Sequence, residues 1–116
     1  MLWVDHHELS HPRVLLVDDD EVNLLLTSTA LRERGFLVSE ACDGEAALQA
    51  LSHGLPDLVV LDAMMPGMDG FTVCRRLRET PSWEFLPVLM LTGLDDDASI
   101  ERAYRAGATD FFVKSP

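Results

Sequence analysis

Basic residues are scarce in this sequence. Nine lysines and arginines stand against 20 aspartates and glutamates, for a net charge of −11. A surface that acidic repels a nucleic-acid backbone, which excludes direct nucleic-acid binding and favours a cation or a basic partner surface. Only two cysteines occur, Cys42 and Cys74, leaving neither a disulfide framework nor a metal-ligand spacing. Both are expected to be reduced, buried small hydrophobes of a cytoplasmic protein. No apolar run approaches the roughly 18–20 residues of a membrane span. The start, with Asp5, Glu8 and no basic residues, is unlike a secretory signal. Internal repeats, low-complexity tracts and linkers are absent too, and 116 residues suffice for one domain.

What is present is alternation. Residues 1–12 have no period and read as an N-terminal extension. His6, His7 and His11 near Glu8 lack any element to frame a metal site and read as a solvated tail. Residues 13–116 form the domain. Val14-Leu15-Leu16-Val17 is an unbroken apolar run, as expected of a strand buried on both faces. Glu21 to Arg34 reads as a helix closed by Gly35, and Phe36 to Ala41 as a second strand. Asp43 caps a helix over Gly44–His53 that turns Ala47, Ala50 and Leu51 inward. Leu58 to Leu61 is a third strand, ending at Asp62. Asp69 caps the next helix, whose buried stripe is Val73, Cys74 and Leu77. Pro87 to Leu91 is a fourth strand, ending at Thr92. The acids Asp95–Asp97 suit a helix start, with Ile100, Ala103, Tyr104 and Gly107 following on one face. Asp110 to Lys114 is a fifth strand. This pattern predicts an α/β fold, a doubly wound five-stranded parallel sheet covered on both faces.

Polar residues interrupt this pattern at one kind of place. Asp18 and Asp19 end strand one, Asp62 ends strand three, Thr92 ends strand four and Lys114 closes strand five. Ligands of open parallel sheets bind outside the carboxyl ends of the strands, at the switch in strand order. In a 2-1-3-4-5 order, three carboxylates converge there. Each close pair repels by about 4 kcal/mol even at an effective dielectric near 20, so the cluster calls for neutralisation. Oxygen ligands with room for water suit Mg²⁺ or Mn²⁺. A nucleophilic carboxylate, a metal, a hydroxyl donor and a fixed cation are what phosphoryl transfer needs. Taken singly, each residue has a plainer reading: Thr92 a strand-end turn, Lys114 a surface lysine, Asp18 a helix cap.

Four stretches carry a family resemblance. They are Val14-Leu15-Leu16-Val17-Asp18-Asp19-Asp20, Leu61-Asp62-Ala63-Met64-Met65-Pro66-Gly67-Met68-Asp69-Gly70, Val88-Leu89-Met90-Leu91-Thr92-Gly93 and Asp110-Phe111-Phe112-Val113-Lys114. Together they resemble the response-regulator receiver domain of two-component systems, whose fold has the flavodoxin-like order 2-1-3-4-5. The resemblance implies that Asp62 is the phosphoacceptor, with metal held by Asp18, Asp19, Asp62 and the Met64 backbone carbonyl. It makes Thr92 the switch hydroxyl, Lys114 the site lysine and Phe111 the aromatic that turns inward on activation. A histidine kinase or phosphotransfer protein is the implied donor. Met64 to Arg76 resembles receivers linked to diguanylate cyclases, which implies such an output domain C-terminal to this chain and leaves room for a homodimer.

Two features depart from the family pattern. Ser115 follows Lys114 where proline is usual, and the chain stops where a fifth helix should begin, so residues 13–116 read as a receiver lacking that helix. Apolar Met64 and Leu94 flank the site and are expected to hinder water. Two rival readings stay open at this point. Asp18, Asp20 and Val22 also fit the nucleophile motif of haloacid-dehalogenase-like phosphatases, with Asp18 as nucleophile. A phosphorylation-independent interaction module is the other.

Overall fold

A parallel strand buried on both faces needs cover on both, and the helices divide that work unequally. The computed structural model describes residues 11–93 and 97–114. Its elements run β1 (Arg13–Val17), α1 (Glu21–Glu33), β2 (Leu37–Ala41), α2 (Gly44–His53), β3 (Leu58–Asp62), α3 (Gly70–Glu79), β4 (Val88–Thr92), α4 (Asp97–Arg105) and β5 (Asp110–Val113). All five strands are parallel, in the expected order β2-β1-β3-β4-β5. Side chains alternate between the two faces of a strand. Leu15, Val17, Val59, Leu61, Val88 and Met90 face α2, α3 and α4, which contribute Ala47, Leu51, Phe71, Val73, Leu77 and Ala103. Val14, Leu16 and Val60 face α1, which seats Leu24 among them.

The α1 side is thinly covered. Leu89 and Leu91 are half-buried there. Phe112, paired in register with Leu91, is 61% exposed, and Leu25 and Leu26 on α1 are each 64% exposed.

Helix ends are set by single residues. Asp20, not Asp18, caps α1: its Oδ1 accepts the N–H groups of Val22 at 2.8 Å and Asn23 at 3.2 Å. Gly35 closes the far end at φ +94°, the left-handed conformation a glycine adopts freely. Asp43 and Asp69 cap α2 and α3 by accepting from the N–H groups of Ala46 and Thr72. Helix α3 is pressed onto the end of β3. A Cβ on Gly70 would lie 2.2 Å from the carbonyl oxygen of Asp62, and the Gly70 N–H donates to the Ala63 oxygen at 3.0 Å. At the other end of α3, Arg78 ties two returns of the chain together. It donates to the Gly107 oxygen at 2.8 Å, to the Trp83 and Glu84 oxygens at 3.1 and 3.2 Å, and to Thr109 Oγ1 at 3.3 Å.

Some expectations need correction. Cys42 is exposed, because β2 is an edge strand and Ala41 is its last core residue; only Cys74 is buried. Gly107 lies beyond α4, in the turn closed by its N–H on the Tyr104 oxygen. Of the face assigned to that helix, Ala103 is buried and Tyr104 is 47% exposed. A short 3₁₀ turn at Pro81–Trp83 had no counterpart in the sequence pattern. Residues 1–10, Leu94, Asp95, Asp96, Ser115 and Pro116 lie outside the described residues. Among the described residues no helix is long and apolar enough to cross a membrane.

The close approach at Gly70 gives a direct test. Gly70→Ala is expected to lower stability by about 1–3 kcal/mol, the usual cost of overpacking, read as a lower urea midpoint at unchanged slope. An unmoved midpoint would show that α3 is not pressed against β3.

Candidate functional site

Strand register carries the polar side chains to one edge. Val17 pairs with Leu61, so one further step brings Asp18 level with Asp62. Asp62 pairs with Leu91 and Thr92 with Val113, which puts Thr92 and Lys114 just past the next two positions. Backbone bonds continue the ladder beyond the strands. The N–H of Asp18 donates to the Ala41 oxygen at 3.1 Å, that of Ala63 to Leu91 at 2.8 Å, and that of Lys114 to Thr92 at 2.7 Å. The loop ends are therefore held like strand.

Asp18, Asp19 and Asp62 each offer a carboxylate oxygen within 4.8 Å of the others. Asp18 and Asp62 are buried and Asp19 is exposed. Asp18 Oδ1 accepts the Asp20 N–H at 2.9 Å. Asp62 Oδ1 accepts the Met64 N–H at 3.1 Å, and its Oδ2 lies 3.4 Å from Lys114 Nζ. Burial lifts the Asp18 carboxyl above its ordinary pKa. The Asp20 N–H opposes that shift, the Asp62 charge adds to it, and Lys114 opposes it in turn. Thr92 is buried at the end of β4. Phe111 is half-buried against the core and meets Tyr104 edge to face, ring centroids 5.6 Å apart.

A metal fits this donor set. Three hard oxygens close together match Mg²⁺ or Mn²⁺, whose octahedral ligands sit about 2.1 Å from the ion and so about 3–4.2 Å from one another. Met64, whose side chain is 57% exposed, has its backbone fixed here by the hydrogen bond to Asp62. Asp20, the second acid that the phosphatase alternative requires, has its Oδ1 engaged in capping α1 and is not among the carboxylates clustered with Asp62.

The sequence pattern gave no hint of one contact near the site. The Arg102 guanidinium lies 4.1 Å from the centroid of the Phe71 ring and 3.4 Å from Asp69 Oδ2. Burial pushes the Asp69 carboxyl up. The Thr72 N–H and hydroxyl outweigh it, and with the charges of Arg102 and Arg75 they hold it below its ordinary pKa. Nothing in a linear sequence marks a pairing across so many residues.

Comparison with known proteins settles the family. A family model described as the response regulator receiver domain matches residues 14–116. The chain belongs to that family. This receiver is 44% identical over 102 residues to Response regulator PleD of Caulobacter vibrioides, covering 88% of the chain and 22% of that protein. It is 41% identical over 103 residues to the transcriptional regulatory protein AfsQ1 of Streptomyces coelicolor, covering 89% and 44%. The receiver thus spans less than half the length of these relatives. Among solved structures, a putative response regulator from Chloroflexus aurantiacus superposes with a TM-score of 0.86 at 38% identity, covering 90% of this chain and 86% of that one. The Vibrio cholerae chemotaxis protein CheY4 gives 0.87 at 31%, covering 92% and 89%. Receivers are regulatory phosphoacceptor domains of two-component signalling that work with histidine kinases and output domains. They generally bind Mg²⁺ at an acidic pocket, and this one has an aspartate cluster.

Mg²⁺ is expected to stabilise the receiver by relieving the carboxylate repulsion. At about 100 times Kd the gain is about 2.7 kcal/mol, an upward shift of roughly 10 °C in Tm. Asp18→Asn should abolish most of it. Protons compete for Asp18, so the gain should shrink as pH falls toward its raised pKa. Without metal the sign reverses: this carboxyl favours the fold when protonated, and costs stability as pH rises from its unfolded to its folded pKa. Thermal melts across pH, with and without Mg²⁺, check both halves.

Proposed function

We propose that Asp62 is the phosphoacceptor of this receiver. The observation that carries the reading is its setting: a buried carboxylate with one oxygen on the Met64 N–H, the other on Lys114, and Asp18 and Asp19 alongside. An Asp62 oxygen attacks the phosphorus of a phosphohistidine presented by a histidine kinase or phosphotransfer protein. The new P–O bond forms as the P–N bond breaks, and the imidazole leaves and takes up a proton. Mg²⁺ or Mn²⁺, when held by Asp18, Asp19, Asp62 and the Met64 carbonyl, supplies positive charge for the phosphoryl oxygens. Lys114 pairs with the product anion, and the Thr92 hydroxyl donates to it.

The phosphoryl group adds roughly −1.5 to −2 charge. Thr92 and the loop after it move toward that charge, and Phe111, already half-buried, turns into the space released. The α4–β5 face repacks, and partners read it.

Residues 13–116 are the receiver unit of a cytoplasmic protein. The greater length of its relatives, of which it covers 22% and 44%, supports an output domain joined C-terminal to this receiver. The resemblance of Met64 to Arg76 to receivers of diguanylate cyclases supports an output of that kind.

Acetyl phosphate labelling with Mg²⁺ tests the assignment. Label should be lost in Asp62→Asn and retained in Asp18→Asn at high Mg²⁺. Turnover of a phosphatase substrate dependent on Asp18 would favour the rival enzyme, and absence of any Mg²⁺-dependent label would favour an interaction module.

Exposed, apolar Met64 beside Asp62 hinders an attacking water; Leu94, its expected companion, lies outside the described residues. Met64→Asn should therefore shorten the half-life of the phosphorylated receiver several-fold. An unchanged decay rate would remove Met64 from that role.

A further inference from the structure

We infer that Arg102 is a clamp on α4, holding the helix in place while Asp62 is a free carboxylate and releasing it on phosphorylation. The inference rests on the assignment of Asp62 as phosphoacceptor, and deepens it by naming the restraint that phosphorylation works against.

The two halves of the clamp differ in mobility. Asp69 and Phe71 belong to the start of α3, which Gly70 presses against the Asp62 backbone and bonds to Ala63. The Phe71 ring is buried in the core, 2% exposed. This half is fixed to β3. Arg102 belongs to α4, joined to Thr92 by residues 93–96 alone. When Thr92 and its loop move toward a phosphoryl group, α4 is dragged with them and α3 stays. The distances of 4.1 Å to the ring and 3.4 Å to Asp69 then both lengthen.

In the structure described, the Asp62 oxygens are taken by the Met64 N–H and Lys114, and Arg102 is in contact with both Phe71 and Asp69. A contact made in one arrangement and lost in the other biases the equilibrium toward the first. An exposed ion pair alone is weak. Here the guanidinium also covers the face of a buried aromatic ring, which adds to it. The opposite flank of α4 is tied differently: the Tyr104 hydroxyl donates to Asp110 Oδ1 at 3.3 Å and the ring meets Phe111. Those ties run to β5, the strand that carries the switching aromatic, and Arg78 of α3 holds the chain just past α4 at the Gly107 oxygen, so Arg102 is a side-chain tie from the body of α4 itself to the start of α3.

Equilibrium binding of beryllofluoride at saturating Mg²⁺, measured by calorimetry, reads the bias directly. Arg102→Gln should bind it roughly three- to tenfold tighter than the unaltered chain, the scale of a combined cation–π and ion-pair contact. Arg102→Lys keeps the charge and loses the planar stack, and should fall between. Asp69→Asn keeps a capping oxygen and should also tighten binding, with little further gain when combined with Arg102→Gln. A purely structural role predicts a lower Tm for Arg102→Gln with unchanged or weaker beryllofluoride affinity, and that result overturns the clamp. Failure of the unaltered chain to bind beryllofluoride would overturn the reading of Asp62 and the clamp together.

Discussion

Three carboxylates gathered at one end of a sheet, two of them buried, repel one another, and the rest of the site answers that repulsion. Lys114 supplies a cation, the Asp20 and Met64 N–H groups supply dipoles, and the three carboxylates fit a divalent ion that would complete the balance. None of these partners could be loosely held. The backbone bonds from Asp18, Ala63 and Lys114 to the neighbouring strands extend the ladder under each charged group. The sheet therefore holds in place an arrangement that free chains would disperse.

The same rigidity sorts the molecule into parts that stay and parts that move. Helix α3 starts in van der Waals contact with the strand carrying Asp62 and cannot follow a change in charge there. Helix α4 starts five residues beyond Thr92, and its side-chain ties to the start of α3 run through the Arg102 side chain. Were the site to gain charge as proposed, the strain would pass to the softer element, α4 with β5 beside it.

Much of this was legible in the sequence because buried parallel strands leave a plain signature. The short, unbroken apolar runs at residues 14–17 and 58–61, each closed by an acid, suit a strand covered on both faces far better than a surface helix. The polar residue that ends each run then falls at the ligand-binding edge by topology alone. Local chemistry was readable too, as with Gly35 and the caps at Asp43 and Asp69. Legibility failed where the answer depended on what a residue faces. Cys42 looks like a core residue until the strand before it is seen to be an edge that ends at Ala41. Asp18 and Asp20 are indistinguishable as caps until one is seen to turn into the site. Arg102 is one more surface arginine until the ring beneath it is known.

Arg78 has a mechanical consequence. By holding the Gly107 oxygen it nails down the chain where α4 ends, while the other end is joined to the site by a short loop. The helix is thus a lever with its fulcrum at Gly107 and about 12 Å of arm, at 1.5 Å per residue from Asp97 to Arg105. Rotation about that pivot displaces the tip near Thr92 most and the base hardly at all. On the proposed switch, a small movement of the Thr92 hydroxyl would become a tilt of a whole surface, its direction set by a residue distant from the site.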